Sequence, residues 1–244
     1  MTIIPLSEGA FTIDKTKIFA PFNLEKDDVQ QRSVGSLLIE VQPFVVITNK
    51  DVLLLDTGLG FTKNNQLQIH QNLLTAGIPP ERVTKVLISH LHKDHAGGIS
   101  KKDKLGNDYL AFENATYYVQ QKEFEFAMDV GFPSYMSDEV AVLHNNPQVK
   151  WQNGNGKIDD YINYEITAAH CANHQVFWIK ENNETIFFGG DDAPQIQQMK
   201  TKFVAKYDFD GKKCMQLRQQ WWQQGLQEKW KFLFYHDIKT PVWG

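Results

Sequence analysis

The stretch Ser89-His90-Leu91-His92-Lys93-Asp94-His95-Ala96-Gly97-Gly98 places three imidazoles and a carboxylate within six positions and follows them with two glycines. In an extended segment, side chains two apart point the same way, so His90 and His92 can share one cation. Asp94 and His95 come after the chain turns and can face a second cation close by. Imidazole with carboxylate suits zinc, iron or manganese, so the ligand types define a class of metal only. Gly97 and Gly98 let the backbone turn tightly beneath the site and begin a helix where larger side chains would crowd the ligands. The plain alternative is four solvated loop residues that happen to lie together. Burying so many ionisable groups without a metal would be costly, which favours the metal.

Such a cluster needs rigid elements behind it. Residues 36–58, "SLLIEVQPFVVITNKDVLLLDTG", read as short β-rich runs broken at Asn49-Lys50-Asp51, a hairpin turn. Residues 64–77 carry Leu67, Ile69, Leu73 and Leu74 at helical spacing and stop at Gly77 before Pro79-Pro80, which predicts one helix. "VTKVLIS" returns to a strand that ends at His90. "YINYEITAAH" and "HQVFWIKENNETIFFGGDD" predict three more strands, the last two joined through Glu181-Asn182-Asn183-Glu184. Met215, Leu217, Trp221, Trp222 and Leu226 mark an amphipathic helix after Asp210, an N-cap, with the Gln-rich stretch 216–227 as its solvated face. "KFLFYHD" predicts a final strand. Strand after strand ends at a His or an Asp.

The 244 residues carry 25 Lys+Arg against 29 Asp+Glu, a formal charge of −4, without a basic cluster that would follow a phosphate backbone. A nucleic acid partner is not expected. Apolar residues make up 42% of the chain, enough for a sizeable core, and no run approaches the roughly 18 apolar residues that span a bilayer, so no membrane partner is expected. We expect one domain over residues 1–244, because sandwiches and barrels of this length commonly form one. The first residues lack the basic and then apolar pattern of a secretory signal. Cys171 and Cys214 are too few for a disulfide framework and have no C-x-x-C partner, which fits a reducing cytoplasm.

The H-x-H-x-D-H run after a strand, with Asp56-Thr57-Gly58 upstream, resembles the metallo-β-lactamase fold superfamily over about residues 34–237. The resemblance implies an α+β fold, a four-layer αββα sandwich with a binuclear metal site at one sheet edge. In that family a later His, a Gly-Asp pair and a last His each follow a strand, and His170, Asp191 and His236 stand at those places. It implies that His90, His92 and His170 hold the first metal, that Asp94, His95 and His236 hold the second, and that Asp191 bridges them. The doubled Asp191-Asp192 leaves the bridge open between the two, with the position after Gly190 favouring Asp191. Two divalent ions, zinc ahead of manganese or iron, would turn a metal-bridging water into hydroxide near neutral pH. Asp94 would accept that water's proton and pass it to the leaving group, so no serine or cysteine nucleophile is required. Asp56 would order the metal loop through hydrogen bonds, and His174 would support the ligands or the loop. Where the family commonly has Gly-His-Thr-Pro-Gly-His, this chain has Ala169-His170-Cys171-Ala172-Asn173-His174. The ligand survives in an altered loop, where Cys171 either approaches the metals or packs as a small buried thiol off them, the second being favoured. His70 and His144 are expected to face solvent.

Three stretches, "GIPPERVTKVLISHLHKDHAGGI", "FENATYYVQQKEFEFA" and "YDFDGKKCMQLRQQWW", are similar to the branch holding the quorum-quenching lactonases and methyl parathion hydrolase-like enzymes. That branch implies hydrolysis of a small-molecule lactone or ester, N-acyl homoserine lactones among them, and leaves a homodimer open. A phosphotriester or thioester substrate is the alternative within the fold. The competing class is a metal-binding member without turnover, for which the altered loop is the only hint. Phe132, Tyr135, Met136 and Trp151 are candidate walls of an apolar pocket, with ordinary core packing equally open.

Overall fold

The computed structural model describes residues 1–64 and 66–244. Two six-stranded sheets carry the architecture. The first, in spatial order, is β1 (Thr2–Pro5), β2 (Phe44–Ile47), β3 (Val52–Leu55), β4 (Lys85–Leu87), β5 (Thr116–Gln120) and β6 (Val149–Gln152), antiparallel up to β3 and parallel beyond it. The second is β7 (Gly156–Ile158), β8 (Ile162–Ile166), β9 (Gln175–Glu181), β10 (Glu184–Phe188), β11 (Lys231–Leu233) and β12 (Val242–Trp243), in which β10 and β11 pair in parallel and the other neighbours antiparallel. Both predicted hairpins form. Thr48 N–H donates to the Asp51 carbonyl at 2.9 Å, and Asn182 and Asn183 adopt φ of 50° and 63°, the left-handed pair that a two-residue turn requires.

Period-two alternation sorts the apolar residues into layers. Helices α1 (Gln68–Thr75), α2 (Lys93–Ala96) and α3 (Gln121–Val130) lie with the first sheet and α4 (Gly211–Glu228) with the second. Val45, Leu54 and Val86 enter a core shared with Ile69, Leu73 and Phe124 of the helices. Their neighbours Phe44, Val46, Leu53, Leu55 and Leu87 turn the other way, onto Ile162, Phe177, Ile179, Ile186 and Phe188 of the second sheet. The far face of that sheet, Val176, Phe187 and Phe232, packs on Trp221 and Trp230. Helix, sheet, sheet, helix is the resulting order. Each fully buried Leu or Phe in these layers stabilises the fold by about 1.5–3 kcal/mol.

Three amides clasp the two sheets near one end. Gln120 Nε2 donates to Gln175 Oε1 at 2.9 Å, and Gln175 Nε2 donates to Gln152 Oε1 at 2.8 Å and to the Ile88 carbonyl at 2.7 Å. All three glutamines are buried. Beside the first sheet, Gly9–Ile13 pairs with both Ala20–Pro21 and Leu37–Val41 to make a small third sheet.

Some local expectations are corrected. Helix α1 begins at Gln68 because Gln66–Leu67 pairs with Thr62–Lys63 as a short hairpin, and Asn65 of the predicted helix lies outside the described residues. Leu74 is 48% exposed, whereas His70 is buried edge-on against Phe112, ring centroids 5.0 Å apart. Burial pushes His70 down to about 4, so it packs as a neutral ring. Asp210 does cap α4, accepting from Lys213 N–H at 3.0 Å, but Leu226 faces outward and Arg218 is buried. The last predicted strand stops at Leu233, since Phe234 N–H turns to the Pro241 carbonyl. Among the described residues, no helix is long and apolar enough to cross a membrane.

Candidate metal centre

Strands β3, β4, β8, β10 and β11 each run out into a polar residue of one cluster: Asp56, His90, His170, Asp191 and His236. After β4 the chain stays extended through His92 (φ −61°, ψ 147°) and then winds into α2, so His90 and His92 lie side by side while Asp94 and His95 come from the first helical turn. The helix can sit there because Gly97 and Gly98 press on the loop after β3. A Cβ at Gly97 would lie 2.4 Å from the Leu59 carbonyl and one at Gly98 2.3 Å from the Thr57 carbonyl. Hydrogen bonds from Thr57 N–H to His95 O (2.7 Å) and from Gly97 N–H to Gly58 O (2.9 Å) fasten that contact.

The predicted ligands converge in two groups. His90, His92, His170 and Asp191 each offer an atom within 4.8 Å of the others, and so do Asp94, His95 and His236. His90 Nε2 and His170 Nε2 lie 2.9 and 3.2 Å from His92 Nδ1. The Asp191 carboxylate stands between the groups, with Oδ1 3.1 Å from His95 Nε2 and 3.0 Å from His236 Nε2, and Oδ2 3.3 Å from His170 Nε2. Asp94 Oδ2 is 3.6 Å from His95 Nε2 and 3.4 Å from His236 Nε2. His95 Nε2 and Asp191 Oδ1 are buried and face each other at 3.1 Å without an aligned hydrogen bond. Nitrogen and oxygen donors gathered in two adjoining buried groups fit the binding of divalent cations.

Hydrogen bonds from behind set each ring. A carbonyl only accepts, so His236 Nδ1 must carry the proton it shares with Glu40 O at 2.6 Å, which turns Nε2 toward Asp191 as the atom a metal would take on losing its proton. His170 Nδ1 meets Asp208 Oδ1 at 2.9 Å, and His95 Nδ1 meets Asp56 Oδ2 at 2.7 Å. The Ser89 hydroxyl donates to that same Asp56 oxygen at 2.6 Å and is 3.0 Å from His90 Nδ1, while Ser89 N–H donates to Asp56 Oδ1 at 2.7 Å. Asp56 itself holds a left-handed φ of 56°, a strained conformation at the centre of this network.

Charge follows the same geometry. Burial and the neighbouring imidazoles hold His90 and His92 well below their usual range, so both present neutral nitrogens. Burial opposes charge on His95 and His236 as well, but the Asp191 carboxylate outweighs it and raises both. Asp191 is held well below the usual carboxylate range because His236, His95 and His170 overcome its burial.

Asp192 is turned away from the cluster. It accepts from His170 N–H at 2.7 Å, lies 3.0 Å from His174 Nδ1, and is held down at about 2 by His174 in spite of burial. His174 is locked between the two aspartates, its Nε2 accepting from Asp191 N–H at 3.2 Å. Cys171 points to Glu123, 3.6 Å from each carboxylate oxygen, and burial pushes its thiol well up.

A cavity of about 710 Å³ opens over the cluster, with His92, Asp94, His170, Asp191 and His236 on its floor. Its walls correct the expected pocket. Ile13, Phe19, Leu37 and Ile39 come from the small third sheet and its loop, and Phe203 and Tyr207 from the loop before α4. None of Phe132, Tyr135, Met136 and Trp151 lines it. Phe132 is 74% exposed, Trp151 packs on Phe124, Met136 is half-buried, and Tyr135 is buried edge-on against the outer side of His92, ring centroids 4.8 Å apart. Asp208 and Tyr207 were missed by sequence reasoning, which found no spacing signal in the run Tyr207-Asp208-Phe209-Asp210. Burial, with Asp191 and Asp208 nearby, pushes the Tyr207 hydroxyl up to about 12, so it stays a proton donor at neutral pH.

Comparison with known proteins agrees with this architecture. Residues 40–212 match the family model of the metallo-beta-lactamase superfamily. The N-acyl homoserine lactonase AttM of Agrobacterium fabrum is 32% identical over 119 residues, 44% of this chain and 40% of that protein, so the match spans well under half of the relative's length. A probable metal-dependent hydrolase from Staphylococcus aureus superposes with a TM-score of 0.77 at 20% identity, over 99% of this chain and 91% of that one. AidC, a dizinc quorum-quenching lactonase, superposes with a TM-score of 0.73 at 19% identity, over 98% and 88%. Strand ends that gather imidazoles and carboxylates between two sheets, and a family match across most of those strands, lead to one conclusion: the chain belongs to the metallo-beta-lactamase superfamily.

Proposed function

We propose that the protein is a binuclear metal-dependent hydrolase that opens a small lactone or cleaves an ester. The observation that carries this reading is the convergence of His90, His92, His170 and Asp191 with Asp94, His95 and His236 beneath an open cavity. His90, His92 and His170 would hold one ion, Asp94, His95 and His236 the other, with Asp191 between them and zinc ahead of manganese or iron. Two such ions supply Lewis acidity, acidifying water and polarising a carbonyl. Asp94 is the proton carrier: its carboxylate reaches the cavity floor and can take a proton from the attacking water and return it to the leaving oxygen. Tyr207 keeps its O–H on the wall and can donate to a carbonyl oxygen that gains charge. Asp56, Asp208 and the Glu40 carbonyl hold the imidazole tautomers. The related AttM proteins are named as N-acyl homoserine lactonases, which puts those lactones among the first compounds to try. Two buried free cysteines, Cys171 and Cys214, fit work in the cytoplasm.

The test is turnover of neutral aryl esters, γ-lactones, N-acyl homoserine lactones and phosphotriesters by zinc- or manganese-reconstituted protein, with metal content measured on the same sample. Chelator-sensitive lactone or ester hydrolysis is expected. Two bound metals without turnover of any of these would overturn the reading in favour of a binding protein, and faster phosphotriester turnover would move the substrate class.

A further inference from the structure

The cavity carries a charge that the hydrolase reading leaves unused. Lys15 and Lys17 follow the strand Gly9–Ile13, Lys93 opens α2, and Lys206 precedes Tyr207, so three separate segments bring lysines to the lining of one cavity. This concentration runs against a chain of net charge −4. Among the described residues none of the four forms an ion pair, although Lys85, Lys102 and Lys231 elsewhere do. Lys93 is placed by aromatic rings instead, its Nζ 5.7 Å from the Phe19 centroid and 5.8 Å from that of Phe132. Of the carboxylates lining the cavity, Asp94 and Asp191 belong to the candidate metal cluster, and Asp14 accepts from the Thr16 N–H and hydroxyl at 2.9 and 2.5 Å. Lys15 still has Asp14 nearby, and Lys93 has Asp94 and Glu139, which leaves Lys17 and Lys206 as the lining lysines without a carboxylate neighbour of this kind.

The geometry points to a substrate that bears a fixed negative charge, a carboxylate or a phosphate, on an otherwise apolar lactone or ester, with Lys17 and Lys206 receiving that charge. This rests on the hydrolase reading for the scissile bond and names the class of molecule on which it acts. The apolar part has a surface to lie on in Ile13, Leu37, Ile39 and Phe203. Lys17 is half-buried and Lys206 exposed. A half-buried ammonium gains more from an anion than a solvated one does, and lysines gathered at a cleft also speed encounter in a salt-dependent way.

A neutral γ-lactone, the same lactone with a side-chain carboxylate and the same lactone with a side-chain phosphate separate the possibilities. Turnover by the zinc-loaded protein and calorimetric affinity are measured for each, at low salt and at about 0.5 M, where exposed charges are largely screened. One anionic lactone is expected to exceed the neutral one by about tenfold in kcat/KM, mainly through KM, and to lose most of that lead in high salt. The ratio of anionic to neutral should fall about tenfold in Lys17→Met/Lys206→Met and return in Lys17→Arg/Lys206→Arg, in turnover and in calorimetry alike. Equal use of neutral and anionic lactones, or a preference that survives the methionine pair and salt, would assign recognition to the metals alone and overturn the inference. Lysine-dependent binding without any hydrolysis would instead leave the inference standing and remove the hydrolase reading.

Discussion

The proposed ligands that come from the first sheet and those that come from the second are anchored in different ways. His90 and His95 hang on one carboxylate, since Asp56 takes His95 Nδ1 directly and His90 through Ser89. His170 and His236 are each fixed by a partner of their own, Asp208 for one and the Glu40 carbonyl for the other. The early segment is therefore a single unit in which both proposed metal positions share a support, while the later loops are anchored piecewise. Damage to the shared anchor should reach both metals, and damage to a private one should stay local.

Asp191 belongs to both halves of this comparison, so its removal should have the largest effect. Asp191→Asn is expected to lower kcat/KM by well over a hundredfold and to bring metal content below two per chain, because outer supports alone are worth about 10–100-fold. Asp192→Asn should retain both metals and cost stability instead, since Asp192 holds His170 N–H and His174 rather than the cluster centre. If the two variants exchange behaviours in elemental analysis and kinetics, the bridge has been assigned to the wrong residue.

The next contrast tests the anchors. Asp56→Asn should weaken both metals by about 10–100-fold, whereas Asp208→Asn should weaken one by roughly tenfold and leave the other. Competition titrations with a chromophoric chelator resolve the two affinities, and equal losses at both sites in Asp208→Asn would break the distinction.

The smallest effect concerns the buttress of the early segment. Glu8 accepts Leu59 N–H at 2.7 Å, and burial raises its pKa to about 7. The folded protein thus holds that proton more tightly than the unfolded chain, so Glu8 contributes full stability below about pH 4.5 and loses it as pH rises through 7. Glu8→Gln should remove this slope, changing the stability difference from wild type by at most on the order of 3 kcal/mol between those limits. Urea titrations across the range, showing parallel pH profiles for the two proteins, would count against a buried protonated Glu8.

How much of this was legible follows the same division. The proposed ligands of the early segment are adjacent in sequence, so local pattern finds them, whereas His170, Asp191 and His236 are picked out at the ends of β-rich runs by the family resemblance. The anchors divide by chemistry: Asp56 stands beside a turn glycine after a strand, but Asp208 lies in a loop without spacing or periodicity, and Glu40 acts through a carbonyl that every residue possesses. The cavity wall was not legible. It is assembled from residues 13–39 and 203–207, which approach only because the small third sheet folds beside the first, and the apolar run around Phe132 offered a stronger but misleading signal. His70 misled in the same way, since a polar residue beside Ile69 and Leu73 can be carried into a core by its helix face.

The glutamine clasp between the sheets has one further implication. Gln120, Gln152 and Gln175 join the edge that supplies Ser89 and His90 to the strand that follows His174, and no member of the joint can gain or lose a proton. The cluster beside it is made almost wholly of groups that can. Acid should therefore act on the two unequally, protonating imidazoles and carboxylates while the amides keep the sheets aligned. Between the pH at which the cluster loses its grip and the pH at which the layers part, the protein should persist as a folded, emptied cup that refills when neutrality returns.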